Sequence, residues 1–350
     1  MSKITFNLDS TSLGSSGCIK DLVLTVIGDL AAPQDGAYRE RTMKINLVYG
    51  IAVHAFIDAM YKTGGHYPTA RKKAEWCLDN IPWIPDAKKL WMNDKKHMLT
   101  TCYNTWYDYI LEKEPSLNFD LITLPQKCIW CEGTKYVDSV DCPHCNRTGT
   151  LTGPATEVNF SLPYYEDDTI IVNLNGTIDR IGKFRGGNYC IPDWKTTGSW
   201  DNVGYFEQYE LSRQLRFYTF ALKLMAQREP ESILGKIGAT NVGTQIIGIF
   251  LKPNANENIV KGSDVMYLSD QMQSFKDLLD AKIQEISFHT RNFLVYGIPL
   301  PKQGILTGGC EKKFDKCKFW DVCKSKENIA QILLGRNFIR KVYDPLRFNT

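Results

Sequence analysis

Two cysteine pairs constrain this 350-residue chain more than any other feature: Cys128-Ile-Trp-Cys131 and, after ten intervening residues, Cys142-Pro-His-Cys145. A CxxC turn places two thiolates on one face of a tight loop, and two such turns supply four tetrahedral ligands. Gly133 and Gly149 follow the pairs, where backbone freedom lets the loops close. Zn2+ suits this geometry and charge, and four protein ligands leave no open position for chemistry. The expectation is therefore structural zinc on Cys128, Cys131, Cys142 and Cys145, rather than free thiols or a redox pair. In isolated peptides such a site supplies on the order of 10–16 kcal/mol, enough for a module of this size to fold on its metal. From Cys128 to Thr150 no hydrophobic period survives, which marks a compact insertion; His144 is expected to be a bystander between ligands.

The chain holds eleven cysteines, an odd count that cannot all pair as disulfides. Residues 1–9 lack the basic-then-apolar pattern of a secretory leader. No window approaches the roughly 18 consecutive apolar residues of a membrane helix. These points lead to the expectation of a cytoplasmic protein with no membrane partner, where clustered cysteines hold metal. Lys and Arg number 42 and Asp and Glu 39, for a formal net charge of +3. That balance gives no nucleic-acid tail and leaves room for a local basic groove. Arg71-Lys72-Lys73, Lys88-Lys89, Lys95-Lys96, Lys312-Lys313 and Lys316-Cys-Lys318 are candidates, with Trp91, Trp106, Phe319 and Trp320 nearby. Phosphate neutralisation plus base stacking would suit a single-strand channel; for any one run, a solvated helix face is the plainer reading.

Periodicity orders the rest. Ile45 to Tyr61 repeats its apolar residues at close to 3.6, Thr69 is placed to cap a helix running through Asp79, and a longer helical pattern spans Asp86 to Glu112. Strand-like stretches follow at Thr156–Pro163, Thr169–Asn175, Gly176–Phe184 and Asn188–Lys195. Helical spacing returns from Tyr205 to Gln227, a buried strand covers Gln245 to Lys252, and Ser269 opens a long helix. No internal repeat is evident. The order argues for an α/β or α+β core rather than a bundle. It divides into a helical N-terminal region (1–122), the cysteine insertion (123–152), the core (153–300) and a cysteine-containing C-terminal segment (301–350). Cys77, Cys102 and Cys190 are expected as buried thiols, and His66, His97 and His289 as ordinary residues.

One acidic constellation stands out. Gly176-Thr-Ile-Asp179-Arg-Ile precedes Ile191-Pro-Asp193-Trp-Lys195-Thr. Residues two apart on a strand share a face, so Asp193 and Lys195 project together and Asp179 on the preceding strand can meet them. Two carboxylates can hold a hard divalent cation, which activates water, while a lysine offsets charge on a phosphoryl group. Two surface acids and a lysine near turns is the other reading of these residues alone. In the tail, Cys310, Cys317 and Cys323 could be zinc ligands, incidental thiols or three-quarters of a cluster site.

The pair GTIDRI and IPDWKT resembles the core of the PD-(D/E)XK nucleases, in the RecB-like exonuclease branch. Gln214-Leu-Arg-Phe-Tyr218 resembles that branch's Q-x-x-x-Y motif, and Gly50-Ile-Ala-Val-His54 its G-x-x-x-H motif. Glu157 in TEVNF resembles the glutamate that begins the sheet region in many members, and it could equally be an exposed strand residue, so it stays outside the catalytic set. The motifs come in family order. The resemblance implies a restriction-endonuclease-like α/β fold, a mixed sheet flanked by helices. It implies Asp179, Asp193 and His54 as ligands of catalytic Mg2+ or Mn2+, Lys195 as the catalytic lysine, and Gln214 and Tyr218 as helpers that orient DNA or the lysine. Trp194 would offer only its backbone carbonyl. Asp193 stands where glutamate is commoner, a shorter arm by one methylene.

Ser10 to Cys18 resembles the serine-rich segment, ending in cysteine, that opens iron–sulfur members of the same branch. There one early and three late cysteines hold a structural [4Fe–4S] cluster that staples the chain ends, which here would be Cys18, Cys310, Cys317 and Cys323. The six residues between Cys310 and Cys317 exceed the usual two. The implied activity is DNA exonuclease action on single strands or ends in recombination, replication or repair, in a bacterial or phage setting with protein partners from those processes. A structure-specific endonuclease and a non-catalytic nucleic-acid-binding subunit are the alternatives. No G-x-x-x-x-G-K-[ST] loop is present, so no motor is expected.

Overall fold

The computed structural model describes residues 3–14, 18–85, 93–108, 119–131, 133–137, 140–197, 203–210, 212–250, 259–302, 311–312 and 315–341. The chain starts with β1 (Ile4–Leu8), α1 (Ser10–Gly14) and α2 (Ile19–Val26). β2 (Ala37–Glu40) and β3 (Met43–Lys44) lead into α3 (Ile45–Lys62) and α4 (Tyr67–Asn80), then β4 (Trp83–Ile84) and α5 (Lys95–Asp108). β5 (Phe119–Leu121) and β6 (Thr123–Lys127) precede the cysteine-rich segment, which holds β7 (Tyr136–Val137) and β8 (Val140–Asp141) and closes on β9 (Thr150–Pro154). β10 (Thr156–Glu166), β11 (Ile170–Arg180), β12 (Gly182–Phe184) and β13 (Tyr189–Thr197) follow. α6 (Val203–Glu207), α7 (Arg213–Arg228) and α8 (Ile233–Gly238) carry the chain to β14 (Gly243–Phe250) and β15 (Ile259–Val265). α9 (Ser269–Tyr296), β16 (Glu311–Lys312), β17 (Asp315–Lys316), α10 (Trp320–Lys324), α11 (Glu327–Asn337) and β18 (Phe338–Lys341) come last.

Two sheets carry the fold. One has the order β1-β11-β10, the other β15-β14-β13-β12-β5. β1 runs parallel to β11, and β13 parallel to β14, while the other pairs within these sheets are antiparallel. Helices cover both faces, because the strand side chains alternate between two apolar cores. Ile191 and Ile246 pack with α2, α7 and α9; Cys190, Trp194, Ile247 and Ile249 pack with α3, α4 and α5. The fold is thus mixed α/β. Among the described residues, no helix is long and apolar enough to cross a membrane.

Several elements depart from the sequence reading for identifiable reasons. The N-terminal region is not only helical: Ile4–Leu8 is a strand with its three apolar residues buried, and it adds to the core sheet. The two stretches divided at Gly176 are one continuous strand. Gly176 is not a turn there: a Cβ would stand 2.6 Å from the Phe160 ring, so the glycine marks close packing. The single helix expected from Tyr205 breaks into α6 and α7, because Ser212 caps α7 by accepting from the Leu215 amide. Thr69 is not the cap of α4. His66 holds that position, Pro68 lies in the first turn, and the Thr69 hydroxyl pairs with the His66 ring instead. Of the pattern over 86–112, Lys95–Asp108 is helical; 86–92 and 109–118 lie outside the described residues.

Cys77, Cys102 and Cys190 are buried as expected. One residue in each of two basic runs is ion-paired: Arg71 with Glu75 at 2.9 Å and Lys95 with Asp79 at 2.7 Å. Lys88 and Lys89 lie outside the described residues.

Candidate active site and cysteine knuckle

The site forms where the two sheets meet, and α3 delivers its imidazole there. Gly50 lets that helix come close to β13: a Cβ at this position would lie 2.7 Å from Thr196 Oγ1. One turn later His54 reaches across, with Nδ1 3.6 Å from Asp179 Oδ2 and 3.8 Å from Glu157 Oε1. One donor atom from each of His54, Glu157 and Asp179 lies within 4.8 Å of the other two. Glu157 adopts the left-handed backbone region, φ 49°, which is uncommon for a residue with a side chain. The sequence reading kept Glu157 outside the catalytic set, and nothing in a linear pattern of residues signals a positive φ.

Asp179 is oriented from β13, where the Trp194 backbone N–H donates to its Oδ2 at 3.1 Å. Asp193 is fully buried and sits next to this group rather than within the trio. Its Oδ2 ion-pairs with Lys195 Nζ, and its Oδ1 has no hydrogen-bond donor among the described residues. Burial pushes the Asp193 carboxyl up to about 6 against the pull of Lys195. Burial works against the Lys195 ammonium, but Asp193 and then Asp179 outweigh it and hold its pKa above the ordinary value. Burial also opposes charge on His54, and Asp179 with Glu157 overcomes it, so the imidazole pKa is raised. Glu157 is pushed up by burial, with Asp179 adding to the effect.

On α7, Gln214 Nε2 donates to the Tyr218 hydroxyl at 2.8 Å. Burial first, and the Asp179 and Asp193 carboxylates next, push the Tyr218 hydroxyl far above its ordinary value, so it remains a donor. Arg180, next to Asp179 in sequence, serves the opposite face. Its buried guanidinium lies 4.0 Å from the Trp194 ring and 5.3 Å from that of Tyr61, linking β11, β13 and α3 by cation–π contact.

The donor set suits a divalent cation. Carboxylate oxygens and one imidazole nitrogen match Mg2+ or Mn2+ better than a soft metal. Three carboxylates, Glu157, Asp179 and Asp193, gather around the Lys195 ammonium and the His54 imidazole, and an Asp193 oxygen is left buried without a donor among the described residues. Such an excess of negative charge is costly unless a cation joins it.

The four cysteines of the insertion converge as a second group. Cys128 Sγ lies 3.9 Å from Cys142 Sγ and Cys131 Sγ lies 3.6 Å from Cys145 Sγ, all buried. The two knuckles repeat each other. Thr134 N–H donates to Cys131 O and Thr148 N–H to Cys145 O, and each threonine hydroxyl donates to the same carbonyl at 2.6 Å. This local duplication was not evident from the sequence, because little beyond the cysteines and threonines is shared. Within the group the thiols diverge: burial pushes Cys128 up to about 12, whereas the Gly149 amide and neighbouring thiols outweigh burial and lower Cys145 to about 7. His144 is more than a bystander: it stacks on Trp130 at 4.3 Å, and Trp130 in turn lies 5.1 Å from His66 at the start of α4, so the knuckle docks there.

Of the four cysteines expected to hold the cluster, Cys18 and Cys317 are buried, Cys323 is half-buried, and Cys310 lies outside the described residues. Cys18 is the residue before α2, whose Leu24 shares an apolar cluster with Cys317 and Phe319.

No curated protein matches the chain in sequence. The family model of the PD-(D/E)XK nuclease superfamily matches residues 29–324.

Proposed function

The chain belongs to the PD-(D/E)XK nuclease superfamily, and from that premise we propose that it is a divalent-metal-dependent deoxyribonuclease acting as an exonuclease on single strands or DNA ends. Membership implies a nucleic-acid substrate and metal-dependent hydrolysis. The observation that carries the reading is the convergence of His54, Glu157 and Asp179 beside the Asp193–Lys195 ion pair.

His54, Glu157 and Asp179 would hold the cation, with Asp193 at its edge. When bound, it supplies Lewis-acid activation of water and of the scissile phosphate. Asp193 keeps the Lys195 ammonium charged and aimed, so that Nζ meets negative charge developing on the phosphoryl oxygens. Gln214 fixes the Tyr218 hydroxyl, which stays protonated and available to donate. The Trp194 amide donates to Asp179 Oδ2, the oxygen nearest His54, and so fixes the orientation of that carboxylate.

Lys195→Ala is the direct test, read by digestion of end-labelled single and double strands with Mg2+ or Mn2+. The reading requires that cleavage falls by about two orders of magnitude or more, and unchanged cleavage by purified variant protein overturns it. Covalently closed circular DNA separates the modes: an exonuclease leaves it intact, whereas an endonuclease opens it.

The remaining metals in this reading are structural. The four-cysteine knuckle takes Zn2+, and Cys18, Cys310, Cys317 and Cys323 take a [4Fe–4S] cluster. Support for the cluster is the approach of α2 and the Cys317 segment in one apolar core. Brown protein whose broad visible absorption fades in Cys323→Ala is the expected result; colourless, anaerobically prepared protein containing only zinc excludes the cluster. We place the protein in the cytoplasm of a bacterium or phage-infected cell, in recombination, replication or repair.

A further inference from the structure

Beside the carboxylate site, α1 and the first turn of α7 line an open cleft of about 350 Å³. Ser10 and Thr11 of α1 line it together with Ser212, Arg213, Gln214 and Arg216 at the start of α7. Gln214 belongs to both places, since its amide bonds the Tyr218 hydroxyl, which feels the charge of Asp179 and Asp193. Tyr209 also borders the cleft, and it lies close enough to Lys195 to act on its charge.

Resting on the nuclease reading, we propose that this cleft seats a phosphate group of the substrate strand, gripped by Arg213 and Arg216 with the hydroxyl-bearing Ser10 and Thr11 in the same lining. The lining selects that chemistry. A base pocket needs aromatic faces to stack on, and this wall offers a single tyrosine among hydroxyls, amides and guanidinium groups. A guanidinium fork matches phosphate oxygens two at a time.

The electrostatics agree. Arg213 has no ion pair among the described residues, and burial together with the neighbouring Arg216 lowers its pKa. Among the described residues no carboxylate pairs with Arg213, so an anion beside it relieves part of its repulsion with Arg216. The Arg216 Nε donates to the Ser212 carbonyl at 3.4 Å, which sets that side chain along the wall. A strand whose phosphate sits here leads past Gln214 and Tyr218 to Lys195, so the cleft fixes the strand's register relative to the scissile bond. The phosphate is either a terminal monoester or an internal diester.

The test is binding of labelled single-stranded oligonucleotides to the full chain, without added divalent metal, by fluorescence anisotropy between about 50 and 200 mM salt. Oligonucleotides bear a 5′-phosphate, a 3′-phosphate or neither. Arg213→Gln is expected to weaken binding about tenfold and to flatten the salt dependence by about 0.7 per lost contact on a single strand. Ser10→Asp, which sets a carboxylate in the lining from α1, is expected to do the same without changing a residue of α7. Loss confined to one phosphorylated end identifies a terminal phosphate; equal loss on all three identifies an internal one. If wild-type protein binds and cleaves while both variants keep their affinity and salt slope, the cleft assignment is wrong and the nuclease reading stands. Wild-type protein that neither binds nor cleaves removes both.

Discussion

Glu157 shows how much of the site turns on one residue's backbone. Its left-handed conformation costs on the order of 1–3 kcal/mol and persists only where the surroundings impose it. Here the compensation is a carboxylate placed next to His54 and Asp179. Glu157→Gln keeps the shape and removes the charge. It is expected to lower Mn2+ affinity and cleavage by about 10–100-fold, measured by calorimetric titration and digestion, with the thermal midpoint little changed. Asp167 illustrates a carboxylate with a purely structural task. Burial favours its neutral form, but the Ser287 hydroxyl, the Ile170 and Thr169 amides and the Tyr165 hydroxyl outweigh it and depress its pKa. The unfolded chain titrates this group near 3.8. The stabilisation is therefore complete above that value and is lost as pH falls through the lower, folded one. Asp167→Asn is expected to be less stable at neutral pH and to show a flatter decline of stability in acid, followed by urea unfolding from pH 6 downward to about 3.

At the scale of elements, α3 against β13 decides whether the imidazole arrives. Helix propensity alone favours Gly50→Ala by about 1 kcal/mol. The new methyl would meet Thr196 Oγ1 at 2.7 Å, and overpacking of that kind costs about 1–3 kcal/mol. We expect the clash to win, with a modest fall in stability and a loss of activity of up to about 100-fold as His54 is displaced. Thr196→Ala in the same chain is expected to restore both, a coupling read from the double-mutant cycle. The motif spacing showed the order of these elements, and α3 emerged within a residue of its anticipated ends. The spacing did not show why glycine was needed, since the obstructing hydroxyl is 146 residues away in sequence. Gly176 is the converse case: it reads as a strand break, and ring packing across the sheet makes it strand interior.

For the molecule as a whole, the ends are brought together by backbone as well as by side chains. β18 pairs antiparallel with β2, and the Arg340 guanidinium bonds the Gly36 and Ala32 carbonyls and Asp35. Phe338 stacks on Phe319 at 4.8 Å and meets Tyr38 edge-on at 6.3 Å. Phe338→Ala is expected to cost about 3–5 kcal/mol, measured by chemical denaturation. If the tail were merely laid on the surface, the loss would be a small fraction of that. The strand pair that joins β18 to β2 was not legible in the sequence, because both are four residues long and carry little periodic signal.

The sequence by itself determined much of the local chemistry: most of the long helices and core strands, that four thiols share a knuckle, and that Asp193 and Lys195 project together where Asp179 can meet them. Those properties follow from side chains spaced a few positions apart, which a linear reading samples directly. The tertiary structure alone decided that Glu157 joins His54 and Asp179 while Asp193 turns to Lys195, that Arg180 ties three elements together, and that two arginines face a cleft beside the site. Each of these depends on the angle at which distant elements pack and on a single backbone torsion, and neither leaves a periodic trace in the chain.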